Sequence, residues 1–455
     1  MAVQIPRWLK TVATHFHAEG YELFLVGGAV RDQLLGRPTA EWDAATDAKP
    51  DTIETLFRQL GARGIGTVGK RFGTVTATIQ GETLEVTTYR SEHYNHDSRK
   101  PITEFGSSIR DDLSRRDFTV NAIAANCRDG TLLDPFDGQA DLKERIIRAV
   151  GNPTHRFHED PLRMLRAIRF AVQLQFEIED ETLAAIGHER ERFGILSAER
   201  VAQELNKILL SEQPSRGIQL IVETGLINYI LPELLPSINL EFDPAEHKDI
   251  YGHILQVLDQ TPPKLQLRWC ALLHDIAKPS TRRKINGEYH FLGHENVGAK
   301  MARTILRRLK YPNEFIQYQT HLVRQHQRIP GYDGSWSDGG VRRFVRDAGE
   351  ALDDLFAFAE ADLTGKNERK RALYQSRRQE LRARIEQLQK EAEIAKIKSP
   401  LDGQELMELF KRPAGPWIKP IKEHLLGLVL DGQLGEHDKE RAAEIARQLL
   451  KDGGA

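Results

Sequence analysis

Two carboxylates spaced two residues apart, Glu41 and Asp43, follow a paired glycine in the run Leu25-Val26-Gly27-Gly28-Ala29-Val30-Arg31-Asp32. On a strand, where side chains alternate with period two, Glu41 and Asp43 point to one face. Two carboxylates on one face suit two Mg²⁺ ions held roughly 3.5–4 Å apart, which activate an attacking oxygen and neutralise a leaving pyrophosphate. Gly27 and Gly28 carry no Cβ, so the backbone there can approach a triphosphate and offer its N–H groups. Taken singly, Gly-Gly after an apolar run reads as a turn, and Glu-x-Asp as a solvated acidic face. The ordered combination, with Arg31 and Asp32 between, points to phosphoryl-transfer chemistry on a nucleotide.

A second block, Asp111-Asp112-Leu113-Ser114-Arg115-Arg116-Asp117-Phe118-Thr119-Val120-Asn121-Ala122, brings paired arginines. Each guanidinium presents planar paired donors that match a phosphate. Asp117 could orient these arginines or contact a ribose, and a surface ion-pair cluster at a helix start remains an equal reading. A third group is dispersed: His253, His274-Asp275, His294, His326 and Asp362. Imidazoles and carboxylates together suit a divalent transition metal, which lowers the pKa of a bound water. His290 and His321 read as structural or exposed.

The elements that must position these residues fall into two regimes. Residues 1 to about 150 read as mixed helix and strand. A first helix carries Leu9, Val12, Ala13 and Phe16. Strands follow at Tyr21–Val26, Thr74–Ile79 and Leu84–Thr88, with a helix over Ala29–Leu35 stopped at Gly36. Beyond 150, apolar residues recur at spacings of three and four, which predicts an almost wholly helical remainder. A long charged helix over Asn367–Lys396 is cut from a terminal module by Pro400 and Pro413–Pro416.

The 455 residues correspond to about three domains of ~150 residues. A 40% hydrophobic and 29% charged composition fits a globular chain. No stretch approaches ~20 apolar residues, and Met1 to His17 hold no continuous apolar run, so neither a membrane span nor a secretory signal is expected and the cytoplasm is the expected location. Cys127 and Cys270 read as reduced core thiols. The net charge of −2 carries no sign of nucleic-acid binding, but Lys366 to Arg384 holds eight Lys/Arg against two Glu. That run reads either as a solvated helix face or as an RNA-backbone surface. Arg307, Arg308 and Lys310 form a smaller basic group.

The glycine block, Glu41-Trp42-Asp43, Leu84-Glu85-Val86-Thr87-Thr88-Tyr89-Arg90 and Arg115-Arg116-Asp117-Phe118-Thr119-Val120-Asn121-Ala122 resemble the class II tRNA nucleotidyltransferase / bacterial poly(A) polymerase family. So do Asp134-Pro135-Phe136-Asp137-Gly138, Glu159-Asp160-Pro161-Leu162-Arg163-Met164-Leu165-Arg166-Ala167-Ile168-Arg169-Phe170, Glu199-Arg200 with Glu204, and the tail segments Ser399–Gly403 and Pro413–Trp417. The resemblance implies an α+β fold. A nucleotidyltransferase head with a small mixed sheet (1–150) precedes an all-α neck (151–225), an HD-type body (226–365) and a tRNA-binding tail (366–455). The head would carry Mg²⁺ on Glu41 and Asp43, with Glu in place of the Asp of many members, and Glu85 as a possible third carboxylate. Nucleotide contacts would come from Gly27, Gly28, Arg31, Arg115, Arg116, Asp117, Asn121, Arg166 and Arg169.

The resemblance also assigns base choice to Asp160 and Arg163, which at a spacing of three share a helix face. Asp160 would accept from N4 of cytosine or N6 of adenine while Arg163 donates to the ring, each paired contact being worth ~1–3 kcal/mol of discrimination. Arg90 to Pro101, with Asp97, Arg99 and Lys100, is similar to the loop that members use to switch from CTP to ATP. The implied activity is template-independent addition or repair of the tRNA 3′-CCA end from CTP and ATP. A-addition alone and poly(A) polymerisation are the alternatives. Glu85-Val86-Thr87-Thr88 and Phe72-Gly73-Thr74-Val75 look more like the tRNA-acting branch. The His-Asp pair in a helical region resembles the HD phosphohydrolase superfamily, which implies a second divalent transition metal on His253, His274, Asp275 and Asp362, completed by His294 and His326. Cyclic phosphates or phosphomonoesters at RNA ends are its plausible substrates, and an HD phosphohydrolase with a nucleotide-binding head is the alternative of another class. Oligomeric state is not legible.

Overall fold

The computed structural model describes residues 3–39, 41–93, 102–106, 108–243, 248–286, 288–364, 368–396, 398–430 and 432–452. They form two compact units, one of residues 1–326 with 360–364 and one of residues 327–359 with 365–455.

The first unit opens on a seven-stranded mixed sheet. Its order is Arg63–Gly66, Thr74–Ile79, Glu82–Thr88, Trp42–Thr46, Leu23–Val26, Ala124–Asn126 and Leu132–Leu133. One neighbouring pair, Trp42–Thr46 with Glu82–Thr88, is parallel; the others are antiparallel. The interior Leu23–Val26 strand is buried along its whole length, as the apolar run requires of a strand covered on both faces. Phe24, Val26, Ala45, Tyr89, Leu113, Ala122, Ala124 and Val150 pack as one core that ties the sheet to the Ile109–Ser114 helix. The ends of the expected Arg90–Pro101 loop pair as strands, Arg90–His93 with Ile102–Phe105. Asp97, Arg99 and Lys100 lie outside the described residues.

Beyond 150 the chain is mostly helical, but not purely so. Ile146–Ile147 pairs with Glu177–Ile178, and two short antiparallel hairpins interrupt the helices, Glu241–Asp243 with Lys248–Asp249 and Arg283–Ile285 with Glu288–His290. Helical periodicity misses such strands because two or three residues are too few to show an alternation.

The second unit contains the Glu368–Lys396 helix of 29 residues and a terminal cluster built on Leu401, Leu406, Ile421, Leu425, Leu434, Ala442 and Ala446. Its Gly403–Phe410 helix starts at a capping box in which Asp402 accepts from the Glu405 N–H and Glu405 accepts from the Asp402 N–H. In the basic run, Arg382 pairs with Asp353 and lies 4.9 Å over the Phe356 ring, and Arg384 pairs with Asp338. These two arginines thus face other elements of the same unit, while Lys366 lies outside the described residues. Arg308 of the smaller basic group, in the first unit, is taken up by Glu233. Cys127 and Cys270 are buried free thiols. Among the described residues no helix is long and apolar enough to cross a membrane.

Candidate active site

Trp42–Thr46 begins one residue after Glu41, so Glu41 stands at the mouth of the sheet and Asp43 one pleat inside it. Asp43 is in register with Glu85 on the parallel neighbour, which puts their side chains on one face. Burial pushes the Asp43 carboxyl up, and Glu41 raises it further against the opposing pull of Arg116. Glu85, although exposed, is pushed up by loss of hydration and then by Asp43 and Glu41. Asp43 and Glu85, both pushed up by loss of hydration and by acidic neighbours, are short of positive charge, and a hard divalent cation with oxygen ligands fits that need.

Facing them, Gly27 holds φ +66, and a Cβ there would sit 3.0 Å from Arg116 Nη1. The turn requires glycine twice over, for its left-handed backbone and for the close approach of the arginine. Arg116 and Arg115 both pair with Asp112, at 3.2 and 2.6 Å. Those guanidiniums hold the Asp112 carboxyl below its ordinary range in spite of its burial. Asp112, not Asp117, orients the arginine pair. It was not singled out from the sequence, yet its spacing of three and four from the arginines is a helical pairing signal.

Asp117 orients a different set. Its Oδ1 accepts from Asn121 Nδ2 at 3.0 Å and its Oδ2 from Arg166 Nε at 2.8 Å. Asn121 Oδ1 in turn accepts from Arg31 Nη1 at 2.8 Å. Arg31, Arg166 and Arg169 also gather on one aromatic ring, with guanidinium carbons 5.2, 5.4 and 4.1 Å from the centroid of Phe170. Arg169 pairs with Glu204 at 2.7 Å. Arg31, Asn121 and Arg166 are thereby joined through Asp117, and Arg116 Nη1 donates to the Asn121 carbonyl at 3.4 Å, which ties this group to Arg115 and Arg116 on Asp112. Sequence reasoning missed Phe170 as its floor, because an aromatic on a helix reads as core.

Burial works to raise the Asp117 carboxyl, but Arg166 and the Asn121 amide outweigh it and hold the pKa far below the usual carboxylate range. A depressed folded-state pKa contributes stability that is present above the unfolded pKa and lost as pH falls toward the folded value. Asp117→Asn is therefore expected to lower the thermal midpoint at neutral pH, with the gap from the parent chain narrowing below about pH 4, the unfolded carboxylate value. A gap that stays constant down to pH 3 would rule out this linkage.

Asp160 and Arg163 are not placed as their spacing predicts. Asp160 lies between the helices Pro153–Glu159 and Leu162–Leu174, with extended φ −134 and ψ 98. Pro161 explains this, since its ring disfavours the helical region for the residue before it. The two therefore do not share a helix face. Asp160 Oδ2 is 3.6 Å from Arg200, and Arg163 donates to Glu159 at 3.0 Å and to the Arg115 carbonyl at 2.8 Å. Arg163 still meets the arginine group, through the backbone carbonyl of Arg115.

The dispersed histidines and aspartates converge. His253 Nε2 is 3.0 Å from Asp362 Oδ1 and 3.3 Å from His274 Nε2. Asp275 Oδ2 is 3.1 Å from His274 Nε2, and Asp275 Oδ1 is 3.4 Å from His294 Nε2 and 4.0 Å from His326 Nε2. The set divides into two triads with metal-ligand spacing, His253–His274–Asp362 and Asp275–His294–His326, with Asp275 reaching toward both. The Nδ1 atoms of His274, His294 and His326 lie 2.9, 2.7 and 2.7 Å from the carbonyls of Ala271, Phe291 and Val323. A carbonyl only accepts, so Nδ1 carries the proton and Nε2 turns a lone pair inward, the orientation that a metal-ligating histidine needs. Lys278 Nζ lies 2.6 Å from Asp275 Oδ2 at the rim; nothing in the sequence reading marked it.

Three comparisons with known proteins bear on this arrangement. Residues 23–148 match the poly A polymerase head domain model, 175–238 the model described as the probable RNA and SrmB-binding site of polymerase A, and 239–396 the HD domain model. A CCA-adding enzyme of Geobacillus sp. strain WCH70 is 34% identical over 447 residues, 97% of this chain and 96% of the relative. One from Geobacillus thermodenitrificans is 32% identical over 433 residues, 94% of each chain. Among solved structures, the Bacillus stearothermophilus CCA-adding enzyme in complex with CTP superposes with a TM-score of 0.61 at 26% identity, covering 98% of both chains.

Proposed function

Because this chain belongs to the CCA-adding enzyme family, we propose that its head builds or repairs the 3′-CCA end of tRNA from CTP and ATP without a nucleic-acid template, acting at Glu41 and Asp43. The chain is a tRNA nucleotidyltransferase. The observation that carries the site assignment is the register of Asp43 with Glu85 beside Glu41, opposite the Gly27–Arg116 turn. Glu41 and Asp43, with Glu85 beside them, would hold Mg²⁺, which supplies charge neutralisation and an acidified RNA 3′-hydroxyl. In the transfer, the 3′-oxygen bonds to the α-phosphorus as the bond to the bridging oxygen breaks. The hydroxyl proton is lost and pyrophosphate leaves. Arg31, Arg115, Arg116, Arg166 and Arg169, fixed by Asp32, Asp112, Asp117 and Glu204, place donors for the triphosphate before it binds, so little reorganisation is left to the reaction. Gly27 and Gly28 let the backbone approach the same group, and Asn121 couples Arg31 to Asp117.

Asp160 and Arg163 are the proposed base readers, now as a pair flanking Pro161 instead of one helix face. Arg163→Ala is expected to lower incorporation of both CTP and ATP by about 10- to 100-fold, the worth of one paired base contact, and to raise the relative use of UTP. Unchanged nucleotide choice in single-turnover extension would remove Arg163 from the reading. The neck, body and tail are proposed to engage tRNA by shape and backbone contacts, in the cytoplasm where tRNA is matured.

The proposal is tested with a tRNA transcript lacking its CCA end, Mg²⁺, and CTP, ATP, both or neither, resolved at single-nucleotide steps. Three residues added with both nucleotides and two with CTP alone support CCA addition. Growth by ATP only on a CC-ended tRNA means an A-adding enzyme, and long ATP-dependent tails mean a poly(A) polymerase.

A second activity is supported by the His/Asp centre: hydrolysis of phosphate esters at RNA ends. His253, His274, Asp275, His294, His326 and Asp362 would hold a divalent transition metal, which supplies a water of lowered pKa. The water oxygen bonds to phosphorus, the ester P–O bond breaks, and the water proton passes to the departing oxygen. Lys278 at the rim places a positive charge where the phosphate would lie.

A further inference from the structure

The Arg283–Ile285/Glu288–His290 hairpin is joined to the His/Asp centre by its own chain. Phe291, the next residue, gives its carbonyl to His294 Nδ1 at 2.7 Å. Its ring lies 5.6 Å from Lys278 Nζ, which pairs with Asp275. Lys284 stands opposite Tyr289 in the ladder, so both side chains project from one face. Arg282 covers the phenol ring at 3.6 Å and Lys284 approaches it at 5.8 Å. Tyr289 nevertheless keeps 36% of its surface exposed. Arg283 and Lys284 are exposed and form no ion pair among the described residues.

A solvent-facing aromatic flanked by cations has little to do for folding, since a two-stranded hairpin of three-residue strands buries almost nothing. It does have what a single-stranded nucleic acid needs, a ring for a base to stack on and positive charge for its backbone. Tyr289 stands two residues, at most about 7 Å of chain, from Phe291, whose carbonyl meets His294 of the centre.

We propose that this hairpin seats the terminal nucleobase of an RNA whose 3′-phosphate reaches the His/Asp centre, which makes a phosphorylated RNA end, not a small free phosphate ester, the substrate class of that site. The inference rests on the hydrolase reading above. Tyr289 acts as a specificity residue through the base, and Lys284 and Arg283 act through the preceding phosphates.

The test uses the full chain in two arms. In EDTA, an oligoribonucleotide ending in 4-thiouridine 3′-phosphate is photo-cross-linked and the adduct mapped; an adduct within residues 282–290 is expected, and adducts only elsewhere overturn the proposal. In Mn²⁺, Co²⁺ or Ni²⁺, kcat/KM is compared for a dinucleotide 3′-phosphate and p-nitrophenyl phosphate. Tyr289→Ala is expected to lower the first by about tenfold, within the range of one base stack, leaving the second unchanged, with Tyr289→Phe restoring the loss. Equal loss on both substrates, or no loss, overturns it. If no metal supports hydrolysis of either substrate, the hydrolase reading fails and the cross-link alone decides the hairpin. A shift of Tyr289→Ala to a smaller species in sedimentation, with no cross-link, would assign the hairpin to self-association.

Discussion

Asp43→Ala is expected to lower nucleotide transfer by about 10³-fold or more while tRNA affinity stays within a factor of two. The size follows from what the side chain does. In-line transfer is catalysed by positioning and by charge neutralisation at the attacking and leaving oxygens, and Asp43 is the most enclosed of the three carboxylates at the sheet mouth. It lies inside a strand, in register with Glu85, so its position is fixed by the sheet ladder. Glu41 precedes the strand and is exposed, which leaves it more freedom and makes it the easier one to replace. The measurement is single-turnover extension of a CCA-less transcript, with tRNA binding by gel retention and a thermal melt as controls. Asp43→Ala also removes a partly buried acid whose proton affinity is already raised by burial, so the fold has little to lose from it. Retained transfer would end the assignment of the metals to this pair.

The reason this site could be read from the sequence is that its parts are local. Gly27 must be glycine because of its own positive φ, and Glu41 and Asp43 stand out by a spacing of two that matches the period of a strand. Those rules act over a few residues; the register of Asp43 with Glu85 is instead set by strand pairing across the sheet. Asp160 and Arg163, the proposed base readers, show where locality ends: a spacing of three predicts a shared helix face, and one intervening proline cancels it. The arginines show another limit. Asp112 with Arg115 and Arg116 is a local pairing at helical spacing, whereas the hold of Asp117 on Arg166, 49 residues away, depends on how Leu162–Leu174 packs against the sheet-bearing segment. The His/Asp residues stood out by type and order, whereas their convergence is a property of helix ends. His274 and His326 follow the last turns of Leu265–Leu273 and Asn313–Gln325, and His294 opens the helix His294–Arg308. No periodicity encodes where helix ends meet.

Asp275→Asn is expected to empty the second centre of metal and to abolish phosphate-ester hydrolysis there, while CCA addition stays at the parent rate. Asp275 is completely buried, and its two oxygens face different histidine pairs, Oδ2 toward His253 and His274 and Oδ1 toward His294 and His326. His274 and Lys278 hold its carboxyl well below the ordinary range, overcoming a burial that works the other way, so the charge is fixed in place at any working pH. The amide keeps the volume and removes that charge, and its NH₂ would turn a donor toward ring nitrogens that must stay free as ligands. Burial and the nearby His274 push His326 down to about 4, so this ring is neutral above that value, as a ligand must be. His326→Ala therefore removes a member of one candidate triad and leaves the other its three members, His253, His274 and Asp362. Metal content after dialysis against Co²⁺ or Ni²⁺, read by elemental analysis, is expected to fall to background in Asp275→Asn and by a fraction in His326→Ala. Equal metal in Asp275→Asn and the parent chain would show that the carboxylate is there to neutralise Lys278 and the imidazoles and not to bind an ion. A thermal midpoint unchanged between the two chains separates lost ligation from lost folding.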